Sequence, residues 1–344
     1  MTFASDNWAT VHPAVLAAII RVNRGHVPSY GADPITREAV ERITAAFGPA
    51  AEPYFVFNGT SANVLALGSC CRQYETVICP ETAHIVVDEC GAVERLLGVR
   101  LTTVPSPSGK LTIEGMMSRV EGRGSEYKVQ PRCISITQST EYGTVYTVAE
   151  LRALVEAAHA ADLLVHMDGA RLANAAVALG VSLAAITGEC GVDVVSFGGT
   201  KNGALGAEAV VFFNPELSRD FVYRRKQMGQ LASKMRYPAV QFTALLTDDL
   251  WRTNAAQANA MARRLADGLS GIAGLTLTQP VEANFVFATV PPETVAGLER
   301  GGAFYMNDAR RTEIRLVCAF DTTPEDVDGF ITNARTVLAA YSSV

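Results

Sequence analysis

One lysine of this sequence stands where covalent chemistry is possible, directly after a buried strand. Residues 194–202 read VVSFGGTKN, so Lys201 follows an apolar run and two glycines that allow other groups to approach closely. A lysine in such a desolvated place can lose its proton and form a Schiff base with a carbonyl group. The alternative is a solvated loop lysine, the usual fate of this residue type. The glycines, and an aspartate at the end of an upstream strand, favour the reactive role.

That aspartate is Asp168, which ends a second apolar strand in the segment LVHMDGAR of residues 164–171. A carboxylate there could hold a protonated pyridine nitrogen and so keep the ring an electron sink, as pyridoxal phosphate (PLP) chemistry requires. Arg171, three residues further on, could pair with an anion. Asp168 could equally cap the following helix, and the octapeptide alone leaves both roles open.

A third strand end suits a phosphate group. Residues 55–63 read FVFNGTSAN, in which an apolar strand, a glycine turn and hydroxyl residues lead into a helix. Backbone N–H groups and the positive end of a helix attract anions, so Gly59, Thr60 and Ser61 are candidate phosphate ligands. Thr60 and Ser61 are also ordinary N-cap residues, and that alternative is the more common one.

Two further candidates depend on the residues around them. His84 follows another strand, where an imidazole could stack on a cofactor ring or exchange protons, although a lone histidine is more often structural. Arg315 lies in the apolar strand TEIRLV of residues 312–317 and must be paired if it is buried. Its partner could be an amino-acid carboxylate or one of the chain's own acids. His166 alternates into a strand interior and is expected to be a core residue.

Short apolar runs that alternate with helical patterns must position these groups. They predict an α/β fold with a mostly parallel sheet, in which ligands bind at the carboxyl ends of the strands. A long helical stretch at residues 239–269 leads into a small C-terminal α+β region, so we expect a large domain at 1–245 and a small one at 246–344. The predicted strands are 54–57, 76–79, 100–104, 133–137, 163–167, 193–197, 209–213, 275–278, 284–289 and 313–317, and the predicted helices include 61–73, 148–161, 172–179 and 324–340.

The composition narrows the classes of protein. The 344 residues are 49% hydrophobic, enough for a sizeable core, and the net charge of −6 argues against nucleic-acid and membrane partners. The first residues lack the pattern of a signal peptide, and no apolar run of about eighteen residues predicts a membrane span. The seven scattered Cys residues show no metal-ligand spacing, which indicates reduced thiols, a cytoplasmic location and no metal site.

Together these segments resemble the low-specificity L-threonine aldolase family, part of the β-eliminating lyase group of aspartate-aminotransferase-like PLP enzymes (fold type I). The likeness runs from residues 5–7 (SDN) to the strand of Arg315, and its specific parts are the segments around Asp168 and Lys201. The resemblance implies that the large domain binds PLP. It also implies retro-aldol cleavage of L-3-hydroxy amino acids, such as L-threonine and L-allo-threonine, to glycine and an aldehyde.

The same resemblance implies roles for individual residues. Lys201 would bind the cofactor as a Schiff base, Asp168 would pair with its pyridine nitrogen, and His84 would stack on its ring and act in proton transfer. Tyr30 matches a tyrosine that reaches the site from a neighbouring subunit, which implies a homodimer or homotetramer. The implied cofactor-binding residues are Gly59, Thr60, Ser61, His84, Asp168, Arg171, Thr200 and Lys201; the implied substrate-binding residues are Ser5, Tyr30, Thr140, Arg171 and Arg315; and Arg225, Lys226 and Arg236 lie in a segment that resembles one near the dimer interface.

One segment departs from the family. Many threonine aldolases carry a histidine near the substrate hydroxyl, whereas here residues 137–143 read TQSTEYG with Thr140 at that position. The shorter segment resembles a branch that includes phenylserine-cleaving aldolases, which makes L-phenylserine a further candidate substrate and leaves His84, or a water near Thr140, as the base. The rivals are another fold type I PLP lyase or racemase, and a non-catalytic PLP-binding protein. A dinucleotide-binding oxidoreductase would need a glycine-rich first turn, which we do not find.

Overall fold

The computed structural model describes residues 2–310 and 312–342, in which strands and helices alternate along most of the chain. The strands are β1 (Glu52–Val56), β2 (Glu75–Pro80), β3 (Arg100–Val104), β4 (Gln130–Thr137), β5 (Leu164–Gly169), β6 (Val194–Gly198), β7 (Glu208–Phe212), β8 (Thr276–Leu277), β9 (Phe285–Thr289), β10 (Tyr305–Asp308) and β11 (Glu313–Val317). The helices are α1 (Pro13–Val22), α2 (Pro34–Phe47), α3 (Gly59–Cys70), α4 (His84–Val87), α5 (Ala92–Leu97), α6 (Ile113–Met117), α7 (Val148–Ala160), α8 (Leu172–Leu179), α9 (Pro215–Ser218), α10 (Phe221–Gln227), α11 (Arg236–Leu246), α12 (Leu250–Leu269), α13 (Val295–Glu299) and α14 (Pro324–Ser342).

Strands β1 to β7 form one sheet with the order β1-β7-β6-β5-β4-β2-β3. Strands β2 to β6 run parallel to one another, whereas β7 runs antiparallel to both β6 and β1. Both faces are buried, since Leu164 and Val165 lie in two different hydrophobic clusters. The predicted α/β architecture and all seven strands predicted for this sheet are confirmed.

The smaller sheet is antiparallel, with the order β10-β11-β9-β8, and it packs against α12 and α14. Strand β10 was not predicted. Its four residues alternate between exposed and half-buried, and they include Asn307 and Asp308, so this edge strand lacks an apolar signature. Its pairing with β11 nevertheless brings Tyr305 opposite Arg315.

The helix predicted at 239–269 is wrong in one respect, because two helices occupy it. α11 ends at Leu246 and α12 begins at Leu250, and between them Asp248 and Asp249 have φ angles of 51° and 53°. Aspartate tolerates this left-handed conformation because its short side chain can hydrogen-bond locally. The domain boundary expected at residues 245/246, next to this break, stays a prediction.

Helix α12 contributes to two hydrophobic cores. Trp251 and Ala255 pack in the core of the main sheet, and Leu265 and Leu269 pack in that of the small sheet. The segment before the first 3-10 turn also reaches the small sheet. Phe3 is fully buried there, its N–H donates to the carbonyl of Ala303 at 2.6 Å, and its carbonyl accepts from the N–H of Val317 at 2.8 Å.

Among the described residues no single helix is long and apolar enough to cross a membrane, and one bent pair, Leu172–Leu179 with Ala184–Cys190, passes by length and composition only. In this fold Leu172 and Ile186 from that pair are buried in the main core.

Candidate active site

A two-part cavity opens where the carboxyl ends of β4, β5 and β6 face the small sheet. The wider part, here called the outer cavity, has a volume of about 850 Å³. A narrow space of about 50 Å³, here called the inner pocket, continues it. His84, Glu141, Arg171 and Lys201 line both parts. The inner pocket also includes Gly59, Asn63, Glu89, Thr140 and Asp168, and the outer cavity also includes Ser5, Trp8, Tyr142, Phe285, Tyr305 and Arg315.

Lys201 enters this cavity from a short 3-10 turn directly after β6. Burial, and then the positive charge of Arg171, lowers the pKa of the Lys201 amine, which favours the neutral, nucleophilic form. Positions 198 and 199 require glycine, because a side chain at either one would clash with a neighbouring backbone carbonyl. A Cβ at Gly198 would lie 2.7 Å from the carbonyl oxygen of Ala170, and one at Gly199 would lie 2.7 Å from that of Ala207. These close approaches hold the end of β6 against its neighbours.

Asp168 lies at the carboxyl end of β5, buried in the inner pocket. Its Oδ1 accepts the N–H of Ala170 at 2.9 Å, and its Oδ2 accepts Nδ2 of Asn63 at 2.8 Å. Burial raises the pKa of Asp168, but His84, these two hydrogen bonds and Lys201 outweigh it and hold the pKa below its ordinary value. The inner pocket therefore contains an ionised carboxylate, which suits a cationic ring nitrogen.

His84 begins α4 and belongs to the same network. Its Nδ1 lies 2.8 Å from Oε1 of Glu89, and that oxygen also accepts Nδ2 of Asn63 at 2.9 Å. The hydrogen bond to Glu89 raises the pKa of His84, and Asp168 adds to this effect against burial. Asn63 and Glu89 are site residues that the sequence analysis missed, although Asn63 stands in the segment that suggested a phosphate site.

The predicted phosphate site is a helix start that borders the inner pocket. α3 begins at Gly59, and the side chain of Asn58 caps it by accepting the N–H of Ser61 at 2.9 Å. A Cβ at Gly59 would meet no atom within 4 Å, so the space beside it is open. Thr60 and Ser61 are half-buried on the first turn. The positive end of this helix thus presents backbone donors beside open space, as an anion requires.

Two arginines line the outer cavity. Arg171 makes a bidentate ion pair with Asp6, through Nε to Oδ2 at 2.7 Å and Nη2 to Oδ1 at 2.8 Å, and it lies over the Phe285 ring. Arg315 lies over the ring of Tyr305, and its buried Nε has no hydrogen-bond partner among the described residues. Burial, and then Arg171, lowers the pKa of Arg315. This guanidinium can therefore bind a carboxylate by donating hydrogen bonds to it.

Three predicted substrate-binding residues occupy different places. Ser5 lines the outer cavity, where its Oγ also accepts the N–H of Asn7 at 3.1 Å. Thr140 lines the inner pocket, and its Oγ1 is 2.7 Å from Oγ1 of Thr144. Tyr30 is half exposed, with the Lys226 ammonium 5.0 Å from its ring centroid, and it lines neither part of the cavity in a single chain.

The basic segment near Tyr30 makes contacts away from the cavity. The Arg225 guanidinium lies over the ring of Tyr54, and its Nη1 is 3.4 Å from the carbonyl oxygen of Phe55. The Arg236 guanidinium lies over the Tyr237 ring. Within one chain, therefore, the structure does not bring these arginines to the lining of either part.

Some of the remaining polar residues near these strands lie outside the cavity, and one lines it. His166 is fully buried between Oγ of Ser135 at 2.9 Å and Oγ of Ser196 at 3.1 Å, which confirms it as a satisfied core residue. Thr200 donates its hydroxyl to Oε1 of Glu208 at 2.6 Å, and neither residue lines the inner pocket or the outer cavity. Glu141 lines both parts and is a further site residue, for which the sequence alone indicated no role.

The geometry has clear counterparts among known proteins. A family model for beta-eliminating lyases matches residues 2–291. The chain is 41% identical over 339 residues to a low specificity L-threonine aldolase of Pseudomonas aeruginosa, covering 98% of each chain. It is 27% identical over 286 residues to one of Saccharomyces cerevisiae, covering 82% of this chain and 72% of that protein.

Solved structures agree with these sequence relatives. A Leishmania major threonine aldolase superposes with a TM-score of 0.93 at 29% identity, covering 98% of this chain and 99% of that one. A probable N-succinyldiaminopimelate aminotransferase of Thermus thermophilus superposes with a TM-score of 0.72 at 16% identity, covering 99% and 94% of the two chains. The second match concerns the fold alone, and it confirms the aminotransferase-like architecture.

Proposed function

We propose that this chain, which belongs to the low-specificity L-threonine aldolases of the beta-eliminating lyase family, uses the described cavity to cleave L-3-hydroxy amino acids. Family membership makes it a PLP-dependent carbon–carbon lyase that releases glycine and an aldehyde. The observation that carries the site assignment is the placement of Lys201, with its lowered amine pKa, and the ionised Asp168 on the carboxyl ends of neighbouring strands.

The donor set of the inner pocket fits the cofactor. Lys201 would hold it covalently through its amine, and Asp168 would hold the protonated ring nitrogen. When bound, PLP supplies an electron sink for the pair of electrons left at Cα. Asn63 keeps Asp168 in position, and His84 is fixed beside the ring site by Glu89. The phosphate would lie at the start of α3, and the other residues proposed to contact the cofactor are Gly59, Thr60, Ser61, Arg171 and Thr200.

The outer cavity supports binding of the amino-acid carboxylate by arginine. Arg315 is half-buried and its buried Nε has hydrogen-bonding capacity left, and Arg171, which lines the same cavity, is held by its bidentate ion pair with Asp6. Holding the carboxylate at one end fixes the direction of the Cα–Cβ bond relative to the cofactor, which selects that bond for cleavage. Ser5 and Thr140 are proposed as further substrate contacts.

An aromatic wall supports a wide range of substrate side chains, including that of L-phenylserine. Trp8 and Tyr305 pack edge to face with 6.1 Å between ring centroids, and the buried Phe285 also lines the outer cavity. Trp8 is 55% exposed and Tyr305 is 43% exposed, so their faces are accessible to an aryl group. Aromatic pairs of this kind stabilise a complex by about 0.5–1.5 kcal/mol.

We also propose a homodimer or homotetramer in the cytoplasm. The stack of Lys226 on the half-exposed Tyr30 presents a surface that a second subunit could bury. The described cysteines are all free thiols, as a reducing compartment favours. A fully active monomer in a sizing experiment would contradict the assembly.

The decisive experiment measures aldehyde and glycine release from L-threonine, L-allo-threonine, L-phenylserine and L-serine. The matched control is Lys201→Ala, which removes the nucleophile. We expect aldehyde from the first three substrates and none from the control. A protein that shows the visible absorption of bound cofactor but releases no aldehyde would be another fold type I lyase or a racemase. In that case Lys201 would remove the proton at Cα instead.

A further inference from the structure

Glu141 is held at one oxygen and open at the other. It follows β4, and its Oε1 accepts both the hydroxyl of Thr137 at 2.7 Å and the backbone N–H of His84 at 2.9 Å. Its Oε2 is buried and has no hydrogen-bond partner among the described residues. A buried carboxylate oxygen without a partner is costly, so such an atom calls for a ligand or a water. Two fixed hydrogen bonds keep the carboxyl group from turning away.

The position of Glu141 separates it from the other buried carboxylates nearby. Asp168 and Glu89 line only the inner pocket, where they are bonded to Asn63 and, for Glu89, to His84. Glu141 lines both the inner pocket and the outer cavity. Among the described residues, it is the carboxylate that borders the ring site on one side and the substrate site on the other.

The other residues that line both parts are less suited to accept a proton. Arg171 is a permanent cation bound to Asp6. The proposed function assigns Lys201 to the covalent exchange with the cofactor, so its amine would serve in the binding of the substrate and the release of glycine. His84 shares a proton with Glu89 through Nδ1, and this contact raises the pKa of His84, which favours the charged form of the ring. A protonated imidazole cannot take up another proton.

We propose that Glu141 is the catalytic acid–base residue of the cleavage step and that its Oε2 accepts the proton of the substrate's 3-hydroxyl group. This inference rests on the proposed function. As the O–H bond breaks, its electron pair forms the C=O bond of the aldehyde, and the Cα–Cβ bond breaks. The pair of electrons from that bond goes to Cα and is taken up by the electron sink, while the proton stays on Glu141. The same carboxyl group returns the proton when an aldehyde adds to glycine in the reverse direction.

The electrostatic surroundings of Glu141 agree with this role. Burial raises the pKa of the Glu141 carboxyl to about 7, against the hydrogen bonds from Thr137 and His84. The titratable groups that face it are Asp168 on β5, Cys79 on β2, Tyr146 before α7 and His84 on α4, and Lys201 and Arg171 share its cavity. A base works best when its pKa lies near the operating pH, and an ordinary glutamate is too weak for this task.

The test is Glu141→Gln in the holoenzyme, which keeps an oxygen for Thr137 and His84 but removes the base. We expect aldehyde release to fall by about 10²–10⁴-fold, the usual contribution of a general base. Exchange of the glycine Cα hydrogen with deuterated water involves no hydroxyl proton, so it should stay within a few-fold of wild type. The visible absorption of the bound cofactor should also be retained. The wild-type kcat should fall as the pH drops below about 7, since the carboxyl becomes protonated.

Two further variants keep the test decisive. Glu141→Asp restores a carboxylate at a shorter reach and should recover part of the lost turnover, while Glu126→Gln, at an exposed position, should behave as wild type. Wild-type aldehyde release by Glu141→Gln overturns the inference, and so does an equal loss of aldehyde release and glycine exchange, which would indicate a structural role. No aldehyde from the wild-type enzyme overturns the proposed function as well, so the two failures are distinguishable.

Discussion

The inner pocket and the outer cavity are built in opposite ways. The inner pocket takes its groups from strand ends and from the helices that follow them, and Asn63 ties Asp168 to Glu89 within it. The outer cavity takes its lining from segments far apart in the chain, and its aromatic residues Trp8 and Tyr305 are half exposed. The cavity is therefore preorganised where the cofactor chemistry is the same for every substrate, and more open where the substrates differ.

Among the variants that separate the two parts of the cavity, the largest effect should come from the inner pocket, through Asp168→Asn. Losing the ionised carboxylate should lower kcat by on the order of 10²–10³-fold, the usual size of a preorganised electrostatic contribution. The matched control is Asp193→Asn. Asp193 is also buried, but it precedes β6 at the opposite end of the sheet and bonds Val165 N–H and His159. That variant should lose stability and keep its kcat, as measured by steady-state kinetics and thermal unfolding. Equal losses of kcat in both variants would show that the effect of Asp168→Asn does not depend on its place in the inner pocket.

A smaller effect is expected at the border of the outer cavity, with Arg315→Lys. Lysine keeps the charge but not the two parallel donors, so KM for L-threonine should rise by about 10–100-fold, corresponding to the loss of a charged hydrogen bond. The value of kcat should change much less. Arg264→Lys serves as the control, because its ion pair with Asp328 is on the surface. A loss confined to kcat would show that Arg315 acts in the chemical step.

A still smaller effect is expected in the aromatic wall, with Trp8→Ala. Removing one aromatic contact should lower kcat/KM for L-phenylserine by about 2–10-fold relative to L-threonine. The ratio of kcat/KM for the two substrates, measured in competition, separates the loss of the aromatic contact from any general loss of activity. An unchanged ratio would mean that the aryl group lies elsewhere.

The smallest effect concerns the stability of the folded protein and involves Glu208, which accepts the hydroxyl of Thr200. Burial raises the pKa of Glu208 to about 7 from its ordinary 4.5, so the folded protein binds this proton more tightly than the unfolded chain. The free energy of unfolding should therefore fall as the pH rises from about 4.5 to about 7. Glu208→Gln still accepts from Thr200 and should remove on the order of 1 kcal/mol of this loss, seen as a higher Tm than wild type at pH 8. An unchanged Tm at pH 8 would mean that Glu208 is not strained by its burial.

The site residues differ in how well the sequence alone could predict them. Lys201, Asp168 and His84 follow apolar runs directly, so local patterns indicated both the strands and the groups at their ends. Glu89 does not follow a strand, and Glu141 follows β4 in a turn where its residue type alone indicates no role, so the roles of both depend on which atoms they meet after folding. Their importance is visible only from the contacts that each carboxylate makes or lacks.

Other differences from the sequence analysis have similar physical causes. The edge strand β10 is short and half exposed, so it has no periodic signature. The break between α11 and α12 depends on two aspartates in left-handed conformation, which helix patterns tolerate without a visible interruption. The proposed role of Tyr30 depends on a second subunit, which the pattern of one chain cannot place.

The first residues of the chain carry a consequence for the order in which a new molecule matures. Phe3 is hydrogen-bonded to Ala303 and Val317, and Asp6 pairs with Arg171 and accepts a hydrogen bond from Asn284. Of these partners, Asn284, Ala303 and Val317 are made long after Phe3 and Asp6, so the contacts of Phe3 cannot all form until residue 317 has emerged from the ribosome. The strands of the inner pocket can pair well before that moment. A nascent chain thus forms the inner pocket first, and the outer cavity is completed only after the residues from Phe285 to Arg315 have been made.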